Sequence, residues 1–161
     1  MPIHGDADVY RERVYCYELY HQMRLRWPNE SPYRLNGEVD KIGHPYLKEP
    51  DTSKPKPDLL VHQPGGGRYN HAVIEIKSVV GQDIRKDLQT LSLFRNQLGY
   101  ERAILLIYGA TPEALTRRAQ RYAATVVQIA PIEVWLHAEP TARAVPVTYL
   151  GRRRAEVKET L

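Results

Sequence analysis

Apolar positions along the chain keep two rhythms, one near 3.6 residues and one of two. Over residues 8 to 27 the helical rhythm dominates, with Tyr10, Val14, Tyr17, His21 and Leu25 forming one stripe. Asp6 or Asp8 would cap its start and Pro28 would end it. A second helix is predicted after Asp83, a candidate cap, with Ile84, Leu88, Leu91, Phe94 and Leu98 as its apolar stripe and Gly99 as its stop. A third starts at Thr111 as N-cap, with Pro112 in the first helical position and Glu113 in the first turn.

The period of two marks strands. YRLNGEVD, residues 33 to 40, reads as a short first strand, and residues 43 to 57, with four prolines, read as a loop. DLLVHQ (58 to 63) and HAVIEIK (71 to 77) form a predicted hairpin around PGGGRYN, whose glycines tolerate positive φ. RAILLIYG (102 to 109) is a continuous apolar run after its leading arginine, as a buried central strand would be, while IEVWLHAE (132 to 139) alternates and PVTYL (146 to 150) is one strand more. The order is helix, three strands, helix, strand, helix, strand. It predicts an α/β fold: a central mixed sheet, its first three strands a meander and its later ones joined through helical crossovers, with helices on both faces.

Composition narrows this reading. A length of 161 residues suits one domain, assigned to 1–150, with 151–161 as a basic C-terminal tail containing GRRR. No apolar run approaches the roughly 20 residues of a membrane span, and the first residues lack a basic-then-apolar pattern, so neither a span nor a signal peptide is expected. The single cysteine, Cys16, cannot form an internal disulfide, which fits a cytoplasmic location, and its aromatic helical setting marks it as core rather than nucleophile. A net charge of +4 and a pI near 9.2 favour a polyanionic partner.

The hairpin carries the chemistry. VIEIKSVVG, residues 73 to 81, sets Glu75 and Lys77 two positions apart in an apolar run, and so on one face. A hairpin symmetric about residues 66 and 67 would place Asp58 directly opposite Glu75, with Cβ atoms roughly 4.5 to 5.5 Å apart. A one-residue bulge would shift that register. Two carboxylates so close, in an apolar setting, can be neutralised by one divalent cation, and oxygen-only ligation suits Mg²⁺ or Mn²⁺. The competing reading is a Glu–Lys ion pair at a solvated strand end. Under the same register His62 and His71 would also oppose each other near the turn, solvated. PGGGRYN lacks the Gly-Lys-Ser/Thr ending and the following helix of a phosphate loop. His21 and His137 read as ordinary polar residues.

Pro57-Asp58, followed after 16 residues by Glu75-Ile76-Lys77, resembles the motif of the PD-(D/E)XK nucleases. That resemblance covers roughly residues 8 to 139 and implies a restriction-endonuclease-like αβββαβ core and a Mg²⁺-dependent nuclease acting on DNA rather than RNA. It implies that Asp58, Glu75 and the Ile76 carbonyl bind the metal. Lys77 would orient or deprotonate the attacking water and stabilise phosphate charge. An acid from the first helix often joins such sites, which makes Glu18 a candidate; Glu38 and Asp40, sharing one face of the first strand, compete for the same role. Gln89 would contact substrate, and Arg68, Arg85, Lys86 and Arg95 would hold the phosphate backbone. A homodimer or a partner protein fits the same picture. The alternative is a non-catalytic nucleic-acid-binding or interaction module that retains the fold.

Overall fold

The computed structural model describes residues 12–37, 55–64, 69–78, 83–139 and 141–151. Six strands form one mixed sheet in the order of the chain: β1 (Arg34–Gly37), β2 (Leu59–His62), β3 (Asn70–Ser78), β4 (Arg102–Tyr108), β5 (Ile132–His137) and β6 (Val145–Leu150). β1, β2 and β3 run antiparallel as a meander. β3, β4 and β5 run parallel, joined by α2 (Arg85–Gln97) and α3 (Pro112–Ala123), and β6 closes the far edge antiparallel to β5. The predicted α/β class and element order are thus observed. Among the described residues no helix is long and apolar enough to cross a membrane.

Alternation along the strands feeds two cores. Leu60, Val73, Leu105, Ile107, Val134 and Leu136 point to one face and pack with α2 and α3. Leu59, Ala72, Ile74, Ile76, Leu106 and Tyr108 point to the other and pack with α1 (Glu12–Leu25). In α2 the predicted stripe is the observed one: Ile84, Leu88, Leu91, Phe94 and Leu98 are all buried. Gly99, at φ +68°, turns the chain out of the helix as expected. Asp83 stands one residue before the N-cap, and its carboxylate accepts the Arg85 N–H at 2.9 Å. Thr111 occupies the predicted N-cap of α3, but its hydroxyl makes no capping bond.

α1 is turned the other way from the prediction. Val14, Tyr17 and Leu25 are 53%, 57% and 67% exposed. Cys16 is buried instead, with Tyr15, Leu19, Tyr20, Met23 and Trp27 packed around it. Two stripes of similar apolar content compete on this helix, and the sheet takes the one that brings the larger aromatic and sulfur-bearing set against Leu59, Ile74 and Ile76. Tyr15 then stacks on Tyr108 with centroids 4.1 Å apart and bonds through its hydroxyl to His137 Nδ1 at 2.5 Å.

The hairpin keeps the predicted register from Leu59 to Val61 and departs from it only next to the turn. Leu59 pairs with Ile74, Leu60 with Val73 and Val61 with Ala72, but His62 pairs with Asn70. One residue, His71, is therefore extra on β3. His62 and His71 are not opposed: His62 Nε2 meets Asn36 Oδ1 at 3.1 Å, and His71 Nδ1 meets Glu101 Oε2 at 2.9 Å. The ladder ends at Leu59 and Ile74, and the same register carried one residue further sets Asp58 opposite Glu75.

Candidate active site

Pro57 explains where β2 begins. The next hydrogen-bonded pair after Leu59 and Ile74 would be Pro57 and Ile76. Proline has no N–H to offer the Ile76 carbonyl, so the ladder stops. The Ile76 N–H donates instead to Asp58 Oδ2 at 2.7 Å. In an extended residue N–H and C=O point to the same edge, so the Ile76 carbonyl faces the Asp58 side as well.

Asp58 and Glu75 lie within hydrogen-bonding reach of each other. Glu75 is only 6% exposed. Burial, then the charges of Asp58 and Asp87, push its carboxyl well above the usual range. Burial also raises Asp58, though the Ile76 N–H and Lys77 pull the other way.

Lys77, one pleat further, is gripped from two helices. Its ammonium donates to Glu12 Oε1 at 2.9 Å and stands 3.6 Å from Asp87 Oδ1. Burial pulls its pKa down, but the Glu12 hydrogen bond and the charge of Asp87 more than offset this, and the net shift is upward. Glu12 opens α1 and also receives the Ser78 N–H at 3.4 Å. Asp87 lies in the first turn of α2, and burial pushes its carboxyl up to about 6. Among the described residues its buried Oδ2 has no hydrogen-bond partner. All of this gathers at the carboxyl ends of β3 and β4, where helices of an α/β sheet begin and ligands commonly bind.

The structure thus brings Asp58, Glu75, Ile76 and Lys77 together. Glu18 is not with them: it is exposed and accepts from Gln22 Nε2 at 2.7 Å. Glu38, Asp40, Arg68 and the tail beyond Gly151 lie outside the described residues. Lys86 and Gln89 are exposed on the outer side of α2. Arg85 is exposed too and pairs with Asp83 through Nε at 2.7 Å. Arg95 is occupied at the far end of α2, where its guanidinium donates to the carbonyls of Tyr100 and Glu101. His21 is exposed, and His137 bonds Tyr15 and the Ala142 carbonyl.

Glu12 and Asp87 are absent from the candidates that the sequence pattern picks out, yet both leave a signal there. Asp87 sits three residues after Ile84 and four before Leu91, a charge inside the α2 stripe. Glu12 lies four residues before Cys16, on the stripe that α1 in fact buries.

The fit of a divalent cation follows from these donors. Among the described residues no group of three or more His, Cys, Asp or Glu side chains forms a metal cage. Mg²⁺ needs none: it keeps several waters and takes one or two carboxylates plus substrate phosphate. Asp58, Glu75 and the Ile76 carbonyl meet that smaller demand. The chain matches no family model, no curated protein and no solved structure.

Proposed function

We propose that this chain is a Mg²⁺- or Mn²⁺-dependent nuclease of the PD-(D/E)XK kind, hydrolysing phosphodiester bonds of DNA. One observation carries the reading: Asp58, which accepts the Ile76 N–H at 2.7 Å, and the buried Glu75 come together at the end of the hairpin beside the half-buried Lys77. A purely structural ion pair would need one carboxylate. Here one lysine stands among Asp58, Glu75, Glu12 and Asp87, and part of that negative charge is suppressed only by raised carboxyl pKa values.

Asp58, Glu75 and the Ile76 carbonyl would hold the ion, which, when bound, supplies a positive centre for the phosphate and lowers the pKa of water. Glu75 must give up its proton for this, so metal affinity rises with pH. Lys77 stays an ammonium between Glu12 and Asp87. It is therefore a donor to a phosphate oxygen and a source of charge for the transition state, not a base. Asp87, titrating near neutrality with one oxygen unengaged, is the acid of this cluster best suited to accept a proton from water.

Calorimetric titration of Mn²⁺ into the wild type and Asp58→Ala tests the site. Heat is expected from the wild type alone. Cleavage of plasmid DNA in Mg²⁺ should fall about 10²-fold or more in Lys77→Met, the scale of losing one transition-state donor. No metal-dependent heat in the wild type, or equal heat in Asp58→Ala, would sink the proposal.

A further inference from the structure

The face of α3 turned away from the core holds the exposed Arg117 and Arg121, with the half-buried Arg118 on its flank, while Leu115 and Ala119 anchor the helix inward. Arg117 and Arg121 are exposed and one turn apart. Among the described residues neither forms an ion pair. The guanidinium carbons of Arg118 and Arg121 lie 5.9 and 5.6 Å from the Tyr122 ring centroid, which restrains both side chains.

This surface continues onto α2. α2 and α3 are in contact on the same face of the sheet. Arg85, Lys86, Arg117, Arg118 and Arg121 stand against Asp83 and Glu113, a net +3 where the whole chain carries +4. The candidate pocket has the opposite character, with four acidic side chains, Asp58, Glu75, Glu12 and Asp87, around the single Lys77. A polyanion is repelled there until a cation binds, so its backbone needs another place to hold. The turn of α2 that carries Asp87 inward carries Arg85 and Lys86 outward, so the basic surface begins where the acidic pocket ends.

We propose that this α2–α3 surface docks the phosphodiester backbone of a nucleic acid, and does so without the metal. The choice of nucleic acid over other polyanions rests on the nuclease reading; the location does not. Backbone contacts of this kind are electrostatic, independent of base sequence and strongly salt-dependent.

Fluorescence anisotropy of a labelled DNA duplex in EDTA, over a salt series, tests it. The double variant Arg117→Ala/Arg121→Ala should bind about tenfold more weakly or worse, with the log–log salt slope reduced by about two, near 0.9 per lost phosphate contact. Arg117→Lys/Arg121→Lys should keep most of that slope. Arg13→Ala/Arg24→Ala removes the same charge from exposed positions of α1, on the other face of the sheet, and should bind like the wild type. The proposal is overturned if the α3 Ala variant binds like the wild type, if both Ala doubles weaken equally, or if the wild type shows no salt-dependent binding. Asp58→Ala separates the two readings. Wild type and Asp58→Ala binding alike, with no cleavage by the wild type in Mg²⁺, would remove the nuclease and leave the docking surface. Cleavage by a wild type whose binding ignores Arg117 and Arg121 would do the reverse.

Discussion

Asp87→Asn should stabilise the metal-free protein at neutral pH and leave it nearly unchanged in acid. The carboxyl of Asp87 titrates at about 6 in the fold, against an ordinary value of 3.8, because burial outweighs its attraction to Lys77. A folded pKa raised in this way means the folded state binds the proton more tightly than the unfolded chain. The native state is therefore unburdened below the unfolded pKa and loses stability as pH rises through about 6. A carboxyl that moves from 3.8 to about 6 on folding costs the native state about 3 kcal/mol once pH is above that window. Roughly half of this cost develops between about pH 5 and 7.5. Asparagine keeps the shape and one acceptor oxygen but never charges. Urea unfolding in EDTA at about pH 5 and 7.5, on both proteins, reads the Asp87 contribution as a difference of differences, together with the fall in the Glu75 pKa that follows from losing the Asp87 charge. A variant that keeps the wild-type pH slope would refute the reasoning, as would one less stable than wild type at the higher pH.

Two further substitutions probe the helix that the sequence pattern misplaces. Glu12→Gln keeps an oxygen near Lys77 but removes the charge that holds it protonated; cleavage in Mg²⁺ should fall about tenfold, or about 1.4 kcal/mol in barrier, while Glu18→Gln leaves the rate unchanged. Equal effects of the two would return the acid of the first helix to Glu18. Tyr15→Phe keeps the stack on Tyr108 and deletes the hydroxyl bonded to His137, whose Nε2–H is committed to the Ala142 carbonyl and whose Nδ1 is therefore the acceptor. Its cost should be about 1 kcal/mol by urea unfolding, and a loss near zero would mean that bond contributes nothing net.

Elements differ in how far their residues alone determine them. β4 and α2 are legible because their patterns admit one solution: the apolar run from Ala103 to Tyr108 has no face to choose, and Ile84, Leu88, Leu91, Phe94 and Leu98 have no rival stripe. α1 is not, because Val14, Tyr17 and Leu25 compete with Tyr15, Cys16, Leu19 and Met23, and hydropathy alone does not rank two half-apolar faces. That local ambiguity costs the site an acid. Glu12 and Glu18 lie six residues apart, which at 3.6 residues per turn sets them roughly a third of a turn from a common face. Choosing the wrong stripe therefore exchanges a residue that grips Lys77 for one that faces water.

In the hairpin the ambiguity is one of register. On the sequence alone, a bulge is the event that would break the opposition of Asp58 and Glu75. The opposite holds. Next to the turn, His62 pairs with Asn70; carried on unchanged, that register would set Asp58 against Ile74, whose side chain belongs to the other core. The extra residue at His71 moves every pair beyond it by one, and only then does Asp58 meet Glu75. A slip of one residue exchanges the two faces of a strand, so the bulge decides whether the two carboxylates meet or are separated by the sheet. Pro57 then ends the ladder at the position that leaves the Ile76 N–H for Asp58 and turns the Ile76 carbonyl toward the same edge. Proline, aspartate, bulge and glutamate act as one device, and in a linear reading the bulge is the part that leaves no trace.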